Sequence, residues 1–587
     1  MSIKSRVSVL WNMSAFILYV LFSELMVSSV LFAFRVNISK ITLPLSIIVA
    51  IIVWCVVNKN TISRELMHGV ILGVFSIILV TVAMGKLYND EWDGNSYHKL
   101  AVGMMKNGWN PMYESVEDAG IRYFGVGPDQ IDTKAIFLDH YAKASWQWGA
   151  AVYALTQNIE CGKGYSVLAA IALFGVLFTY MYMRNCNIRS TFVFCIIAVS
   201  NPVFISQMTT YYLDGYLATL LFMLIVGLTM LIDKYDDSFN KYAWTIIFPS
   251  MTLLGNVKFN GLLYGGCFCV IFYIFSCIQE SVVKKNEYPR KIISDIVFNP
   301  RIVRFIILAI NTICVAGNVT YLKNLIDHGT PGYPLMGANM DVLTGQGPDD
   351  FRGRSTLYKI FYSLFGRGDG IWTDEEGIKH LPQLKVPFTF TINEIKWYRY
   401  ADLRSGGFGP LFSGILIISL LIIILFLTRI YKEEKGMFVY SCVLIGMVTA
   451  LLVTISASWW ARIAPFMYVY AVFALYILLF KSNVLFRGIK KSKLKTRNIL
   501  ICIYTCTMLI NSGVCLANPI RCIKISGQIG DGLKDYSGKT LQEVNCSTFY
   551  GVLFDLDDAN VGYLYDECNT NPSHVLYNGL IGFEKVN

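Results

Sequence analysis

Long apolar stretches recur along the chain and leave it few possible folds. Each of them is close to the roughly 20 apolar residues that a helix needs to cross a bilayer core. Because lipid offers the backbone no hydrogen-bond partners, such segments are expected to be helical. The sequence therefore predicts an all-α polytopic membrane protein with about 13 transmembrane helices. The predicted spans cover approximately residues 12–34, 41–57, 67–86, 164–183, 191–209, 214–232, 242–256, 260–278, 304–321, 409–429, 436–455, 462–481 and 498–517.

The charges support this class and indicate a topology. Only 15% of the residues are charged, against about 25% in soluble domains. The net charge of +10 is concentrated in short loops on one side, as in the run from Arg487 to Arg497, which is the positive-inside pattern. We therefore expect a cytoplasmic N-terminus, an outer C-terminus and no nucleic-acid partner. The first stretch is long and lacks a small-residue cleavage site, so we expect a retained helix.

Two long loops and the tail then fall on the outer side. They are rich in Trp, Tyr, Gly and Asp, and loops of this length are usually functional. Cys546 and Cys568 lie in the polar tail and could pair outside the cytoplasm. The predicted regions are N-terminal spans 1–86, a first outer loop 87–163, central spans 164–321, a second large outer loop 322–408, C-terminal spans 409–517 and an outer tail 518–587.

An acidic cluster opens the first outer loop directly after the third predicted span. Asp90, Glu91 and Asp93 place three carboxylates within four residues, and Tyr97 and His98 follow. Acids at a membrane surface are costly and often functional. One carboxylate could act as a general base on an acceptor hydroxyl. The alternative is a solvated cluster that caps the next helix and interacts with its dipole.

The residues after the acidic cluster predict a helix over 94–106. Apolar residues recur there at helical spacing, which indicates an amphipathic helix lying on the membrane surface. His98 is expected to pack or to form a hydrogen bond at the interface. A divalent metal held by Asp90, Glu91, Asp93 and His98 is conceivable, but the spacing is not diagnostic, so the metal stays unknown.

Isolated charges at the span ends are further candidates. Lys258 lies in a break between two spans, where its cation suits a lipid phosphate or simply reaches the interface. Arg462 lies just inside a span that begins with two tryptophans, and pairing with a phosphate or carboxylate is favoured there. Asp214 stands at a span entrance, where it either supports the site or caps the helix, and capping is favoured. Glu24 lies alone inside the first span.

Several motifs resemble a known family. The sequence D-x-x-x-Y-H from Asp93 to His98, with G-W-N-P at 108–111, resembles the first outer loop of GT-C fold glycosyltransferases. These polytopic enzymes take a sugar from a polyprenyl-phosphate carrier. The segments around Lys258 and Arg462 also resemble elements of that fold, and Tyr333 lies in a Gly-x-Pro-x-Tyr-Pro turn like that of related bacterial enzymes. One departure is that the acidic loop follows the third span here, not the first.

The resemblance implies a GT-C-like enzyme of the bacterial inner membrane. It would move a sugar from an undecaprenyl-phosphate donor to a cell-surface glycan or glycolipid. Asp93, Asp90 or Glu91 would supply the base, and Lys258, Arg462, Tyr97, His98 and Tyr333 would bind substrate. Inversion at the anomeric carbon is expected, and no cofactor is clearly indicated.

Two alternatives remain open. An O-antigen polymerase or ligase would use a lipid-diphosphate donor and depend on Arg352, Arg354 and Arg404 in the second outer loop. A lipid or solute transporter would need charged or broken helices in mid-membrane, for which Glu24 and the break at 255–261 are the signs in the sequence.

Overall fold

The computed structural model of the chain is mainly helical. Within the described residues, eight helices are long and apolar enough to cross a membrane, or nine if the bent pair Arg301–Val315 and Asn318–His328 is one span. The protein is therefore an integral, multi-pass membrane protein, whereas the total of thirteen spans stays a prediction. The structure describes residues 2–58, 63–124, 129–233, 235–236, 238–283, 299–336, 347–368, 372–373, 379–431, 433–486, 494–566 and 572–586.

The N-terminal region packs its first and third helices closely. Gly69 and Gly73 face the first helix, and a Cβ at Gly69 would lie 2.4 Å from the Cβ of Asn12. Small residues are what allow helix backbones to approach in lipid. A π-helical turn, Gly94–His98, then leads into the short helices of the first long loop. The helices of this region are α1 (Ile3–Ala33), α2 (Thr42–Val57), α3 (Arg64–Met84), α4 (Lys99–Lys106), α5 (Val116–Phe124), α6 (Asp129–His140) and α7 (Ala144–Thr156).

Among the described membrane helices, the most deeply buried is α11 (Asp214–Ile232) in the central region. It packs against α8 (Tyr165–Met183), α12 (Ser238–Val257) and α13 (Phe259–Val283). A 3-10 turn, Ile159–Gly164, precedes α8, and a short antiparallel pair of strands lies in the second long loop. The elements are α8 (Tyr165–Met183), α9 (Ile188–Val199), α10 (Pro202–Gln207), α11 (Asp214–Ile232), α12 (Ser238–Val257), α13 (Phe259–Val283), α14 (Arg301–Ile310), α15 (Lys323–His328), α16 (Thr356–Phe365), β1 (Trp372–Thr373), β2 (Lys379–His380) and α17 (Ile392–Trp397).

Two predicted spans in this region are not single straight helices. The span predicted over 191–209 breaks before Pro202, because Asn201 caps a new helix by accepting from the Val203 amide at 3.0 Å. The span predicted over 304–321 bends by 64°. Neighbouring helices satisfy the polar groups at the bend, as where the Asn256 amide donates to the Thr312 carbonyl at 3.0 Å.

The C-terminal region ends in a small mixed sheet, so the prediction of an all-α fold is wrong for the tail. The sheet order is β4-β3-β7, with β3 parallel to β4 and antiparallel to β7, and β5 pairs with β6. The elements are α18 (Phe412–Ile430), α19 (Lys435–Thr454), α20 (Tyr468–Phe480), α21 (Ser482–Leu485), α22 (Leu494–Val514), α23 (Ala517–Asp535), β3 (Thr540–Val544), α24 (Leu553–Asp558), β4 (Gly562–Tyr565), β5 (His574–Leu576), β6 (Ile581–Phe583) and β7 (Lys585–Val586).

The tail packs on the first long loop. Lys99, at the start of α4, is completely buried and pairs with Asp555 of α24 and with Glu160. Gly103, one turn further along α4, lies against the ring of Phe554. The helix predicted over 94–106 is therefore present, but it is enclosed and does not lie on a surface, because the tail covers its polar face. Of the predicted cysteine pair, Cys568 lies outside the described residues.

Candidate functional site

A cavity of about 310 Å³ opens where the first long loop meets the ends of the membrane helices. We call this face of the protein the loop side. Aromatic rings form much of the wall, and the charged groups enter from four separate parts of the chain. The residues that matter for its chemistry are Asp93, Tyr97, His98, Tyr141, Trp146, Lys258, Arg404, Trp460 and Arg462.

Arg462 is the centre of the charged groups at this cavity. Its Nη2 donates to Asp93 Oδ2 at 2.7 Å, and its Nε donates to Asp214 Oδ2 at 2.7 Å. Its Nη1 lies 3.1 Å from Asp402 Oδ2. One planar guanidinium, with five N–H donors, thus holds three carboxylates at once. We call Arg462, its three carboxylates and Lys258 the charged cluster.

Lys258 joins the charged cluster through Asp214. It is the single residue between α12 and α13, and its Nζ donates to Asp214 Oδ1 at 2.5 Å. Asp214 is buried, and Gln207 donates to its Oδ2 at 3.1 Å. The predicted capping role of Asp214 is wrong, because its carboxylate pairs with Arg462 and Lys258 instead of capping α11.

Asp93 is the acid of the cluster that faces the cavity. It immediately precedes the π-helical turn Gly94–His98, and its side chain is 17% exposed. Burial alone would raise its pKa, but the charges of Arg462 and Lys258 hold the pKa below the ordinary value. Asp93 is therefore ionised at neutral pH.

His98 brings a nitrogen without a partner to the same cavity. Its Nδ1 accepts from Trp146 Nε1 at 2.8 Å, while its Nε2 is buried and has no hydrogen-bond partner among the described residues. Burial lowers the pKa of His98 to about 3, so the ring is neutral. Since Nδ1 is an acceptor, the proton resides on Nε2. Tyr97 lies beside it, with its ring stacked on Phe137 at 5.8 Å.

The other two acids of the sequence cluster are turned away from the cavity. Arg521 of α23 donates to both oxygens of Asp90, at 2.6 and 2.9 Å, and to Glu91 Oε1 at 2.9 Å. Asn578 of the tail also donates to Asp90 at 3.2 Å. Burial raises the pKa of Glu91 to about 7, and the charge of Arg521 opposes that rise. The structure thus separates Asp93 from the pair to which it is adjacent in sequence.

Tyr333 lies apart from the cavity, and the metal, which the sequence left unknown, has no candidate ligand group within the described ranges. The Tyr333 ring stacks on His328 at 3.7 Å and meets His140 edge-on at 4.8 Å, so one of its faces is already covered. Tyr333 is not part of the cavity wall. In the part of the chain that the structure describes, no group of three or more His, Cys, Asp or Glu side chains could hold a metal ion.

Sequence reasoning missed Asp402 and Arg521 entirely. Asp402 lies in the second long loop and accepts from Trp460 Nε1 at 2.8 Å. Arg521 lies beyond the last predicted span, in a helix that continues almost directly from α22. The apolar stretch gave no signal for this helix, because residues 517–535 are polar in composition. With α22 they form a helical stretch of 39 residues from Arg497 to Asp535, about twice what a bilayer requires.

Comparisons with known proteins give one loose likeness. No protein-family model matches the sequence, and no curated protein matches it significantly. Two crystal structures of ArnT from Cupriavidus metallidurans are similar to the chain. With the structure bound to undecaprenyl phosphate the TM-score is 0.43, and with the apo structure it is 0.42. Each shows 10% sequence identity and covers 83% of this chain and 84% of the other. At these scores the likeness decides no activity.

Proposed function

We propose that the protein is a membrane glycosyltransferase that moves a sugar from a polyprenyl phosphate, such as undecaprenyl phosphate, to a glycan or glycolipid acceptor at the loop side. The observation that carries the proposal is the convergence of Asp93, Lys258 and Arg462 on one cavity, although they are separated by up to 369 residues. The motifs that resemble GT-C enzymes contain the same three residues. The proposed location is the bacterial inner membrane, with the loop side facing outward.

In the proposed reaction Asp93 is the general base. The acceptor hydroxyl attacks the anomeric carbon, and its proton passes to the Asp93 carboxylate. The bond between the anomeric carbon and the phosphate oxygen breaks, and its electron pair stays on the phosphate. A single displacement of this kind inverts the anomeric centre. The products are the glycosylated acceptor and the free polyprenyl phosphate.

Lys258 and Arg462 would bind the donor phosphate and stabilise the charge that grows on it. In the resting structure both cations are paired with carboxylates, so phosphate binding must compete with Asp93 and Asp214. When the guanidinium turns to the phosphate, its hold on Asp93 weakens and the basicity of Asp93 rises. Donor binding would then activate the base, which links the two halves of the reaction.

His98 and Tyr97 would orient the sugar. The Nε2–H of His98 is a buried donor without a protein partner, and a sugar hydroxyl or phosphate oxygen satisfies it. The neighbouring aromatic rings of Tyr97, Tyr141 and Trp146 provide apolar faces for the sugar ring. His98 would therefore form the hydrogen bond to the sugar or phosphate, and the aromatic rings would pack against the sugar ring.

The test is sugar transfer in liposomes with a panel of polyprenyl-phosphate sugars. The wild type is compared with Asp93→Asn and with Asp90→Asn at equal expression. We expect Asp93→Asn to lower the rate by about 10²–10⁴-fold and Asp90→Asn to stay within a few-fold of the wild type. The proposal is refuted if Asp93→Asn stays active or if no monophosphate donor turns over.

The second candidate is a polymerase or ligase with a lipid-diphosphate donor. Of its three predicted arginines, Arg404 lines the cavity and lies over the Trp460 ring at 4.1 Å. The side chain of Arg352 is 71% exposed and pairs with Asp349, away from the cavity. This candidate predicts turnover of a diphosphate donor that survives Asp93→Asn and is lost in Arg404→Gln.

A further inference from the structure

A second cavity, of about 300 Å³, lies at the opposite ends of the same helices. Its position follows from α11, which begins at Asp214 in the charged cluster and ends beside Asp233 at this cavity. The 19 residues between them span about 28 Å at 1.5 Å per residue. The second cavity is therefore separate from the site proposed for sugar transfer.

The walls of this cavity are apolar and its mouth is charged. Phe222, Ile225 and Val472 are among the side chains that face each other across it. An empty space between such walls leaves their atoms without contact partners, so an apolar occupant is favoured. Because the helices cross a membrane, the surrounding lipid is the available source of hydrocarbon.

The mouth carries two cations and two carboxylates as neighbouring pairs. Arg184 Nη1 donates to Asp233 Oδ2 at 2.6 Å, and Lys481 Nζ donates to Glu434 Oε2 at 2.9 Å. The Tyr180 hydroxyl also donates to Asp233 at 2.6 Å. A guanidinium has five N–H donors and an ammonium has three, so both cations retain donors for a phosphate.

Two of the helices that line this cavity are α11 and α20. Phe222 and Ile225 lie on α11, and Val469 and Val472 lie on α20. We call the part of the cavity between these two helices the inter-helix slot. A separate cavity of only about 20 Å³ is lined by some of the same residues, so the slot itself has to hold the occupant. Its apolar lining and its charged residues together fit a hydrocarbon chain with a polar head.

We propose that the inter-helix slot binds one membrane lipid, with its phosphate head at Arg184 and Lys481 and its tail between α11 and α20. The head chemistry is shared by glycerophospholipids and polyprenyl phosphates. A lipid held there joins the helix that begins at Asp214 to the helix that follows Arg462. It therefore stabilises the packing of α11, which carries Asp214, against α20, which follows Arg462 in the chain.

The test is photolabelling of the full-length protein in liposomes. One arm contains a phosphatidylethanolamine with a diazirine on its acyl chain, and the other contains a diazirine polyprenyl phosphate. We expect adducts on the α11 and α20 segments that line the slot in at least one arm, and the labelled arm identifies the lipid. Adducts no more frequent than those on the lipid-facing surface of α19 would overturn the proposal.

Variants separate binding in the slot from general contact with lipid. Val472→Trp fills the slot and should lower the adduct yield at least five-fold, whereas Val439→Trp, on an exposed part of α19, should leave it unchanged. Arg184→Gln tests the head site without filling the tail site and should lower the yield several-fold. Equal labelling by a phosphate-free diazirine diacylglycerol would refute the head assignment. None of these readouts depends on sugar transfer.

Discussion

Arg462 and Asp93 should be energetically coupled, and a double-mutant cycle can measure the coupling. In Arg462→Met, Asp214 keeps Lys258 at 2.5 Å and Asp402 keeps Arg404 at 3.3 Å. Asp93 loses its bonded cation. An uncompensated buried charge lowers the free energy of unfolding by about 3–5 kcal/mol. Because the Asp93 side chain is 17% exposed, we expect Arg462→Met to lose an amount near the lower limit of that range.

The free energy of unfolding should fall less when Asp93 is replaced than when Arg462 is replaced. In Asp93→Asn the guanidinium keeps Asp214 and Asp402, so the loss is that of one charge-assisted hydrogen bond, about 1.5–3 kcal/mol. In the double variant residue 93 carries no charge, so no buried carboxylate is left without a cation. We therefore expect the double variant to be about 2 kcal/mol more stable than the sum of the single losses predicts.

The assay is reversible unfolding in mixed micelles, titrated with SDS and followed by circular dichroism. The control cycle pairs Asp93→Asn with Arg184→Met, because Arg184 pairs with Asp233 at the far end of α11, well beyond the distance at which two sites couple. That cycle should be additive within about 0.5 kcal/mol. If the cycle of Arg462 with Asp93 is equally additive, the ion pair contributes nothing and the description of the cluster is wrong.

Three further predictions concern the support of the site. Because burial raises the folded-state pKa of Glu91 to about 7 from 4.5, its contribution to stability falls as pH rises from 4.5 through 7, by about 3 kcal/mol at most. Glu91→Gln should flatten the loss of thermal stability between pH 5 and pH 8. Lys99→Met leaves Asp555 buried without its cation and should cost about 3–5 kcal/mol in SDS unfolding. Gly103→Ala places a Cβ 2.3 Å from the Phe554 ring and should cost about 1–3 kcal/mol by overpacking.

Each of these predictions has a matched control. Trp92→Phe changes the exposed neighbour of Glu91 without removing a titratable group and should leave the pH slope between 5 and 8 unchanged. Lys106→Met removes a cation from the other end of α4, where it lies over the Tyr153 ring at 4.7 Å, and should change stability by less than about 1 kcal/mol. Gly446→Ala adds a Cβ with no heavy atom within 4 Å and should be neutral or stabilising. Equal effects of a variant and its control would contradict the corresponding prediction.

The membrane helices were predictable because the apolar pattern that indicates each helix lies entirely within that helix. Apolar stretches of sufficient length identified α11 to the residue, as 214–232. The breaks before Pro202 and at Gly317 were missed, because hydropathy does not report where polar backbone groups find partners in neighbouring helices. The sheet of the tail was missed because its strands are only two to five residues long.

Sequence reasoning selected three residues of the charged cluster but not the contacts that join them. Asp93, Lys258 and Arg462 each stood out as charges at span ends, so sequence reasoning selected them individually. Asp214, the common partner of Lys258 and Arg462, was interpreted as a cap, since the 248 residues between it and Arg462 hide the contact. Likewise Arg521 pairs with Asp90 across 431 residues, and without that contact Asp90 and Asp93 are equivalent candidates.

The burial of Lys99 beneath the tail has a consequence for biogenesis. The turn that carries Asp93 runs directly into Lys99, whose ammonium is neutralised by Asp555 and also donates to the Tyr577 hydroxyl at 3.1 Å. Translation must therefore proceed past Asp555 before Lys99, which follows this turn, has both of its counter-charges, Glu160 and Asp555. A nascent chain with every membrane helix inserted but the tail still unmade would hold an unfinished site, so maturation of the first loop is timed by synthesis of the last segment.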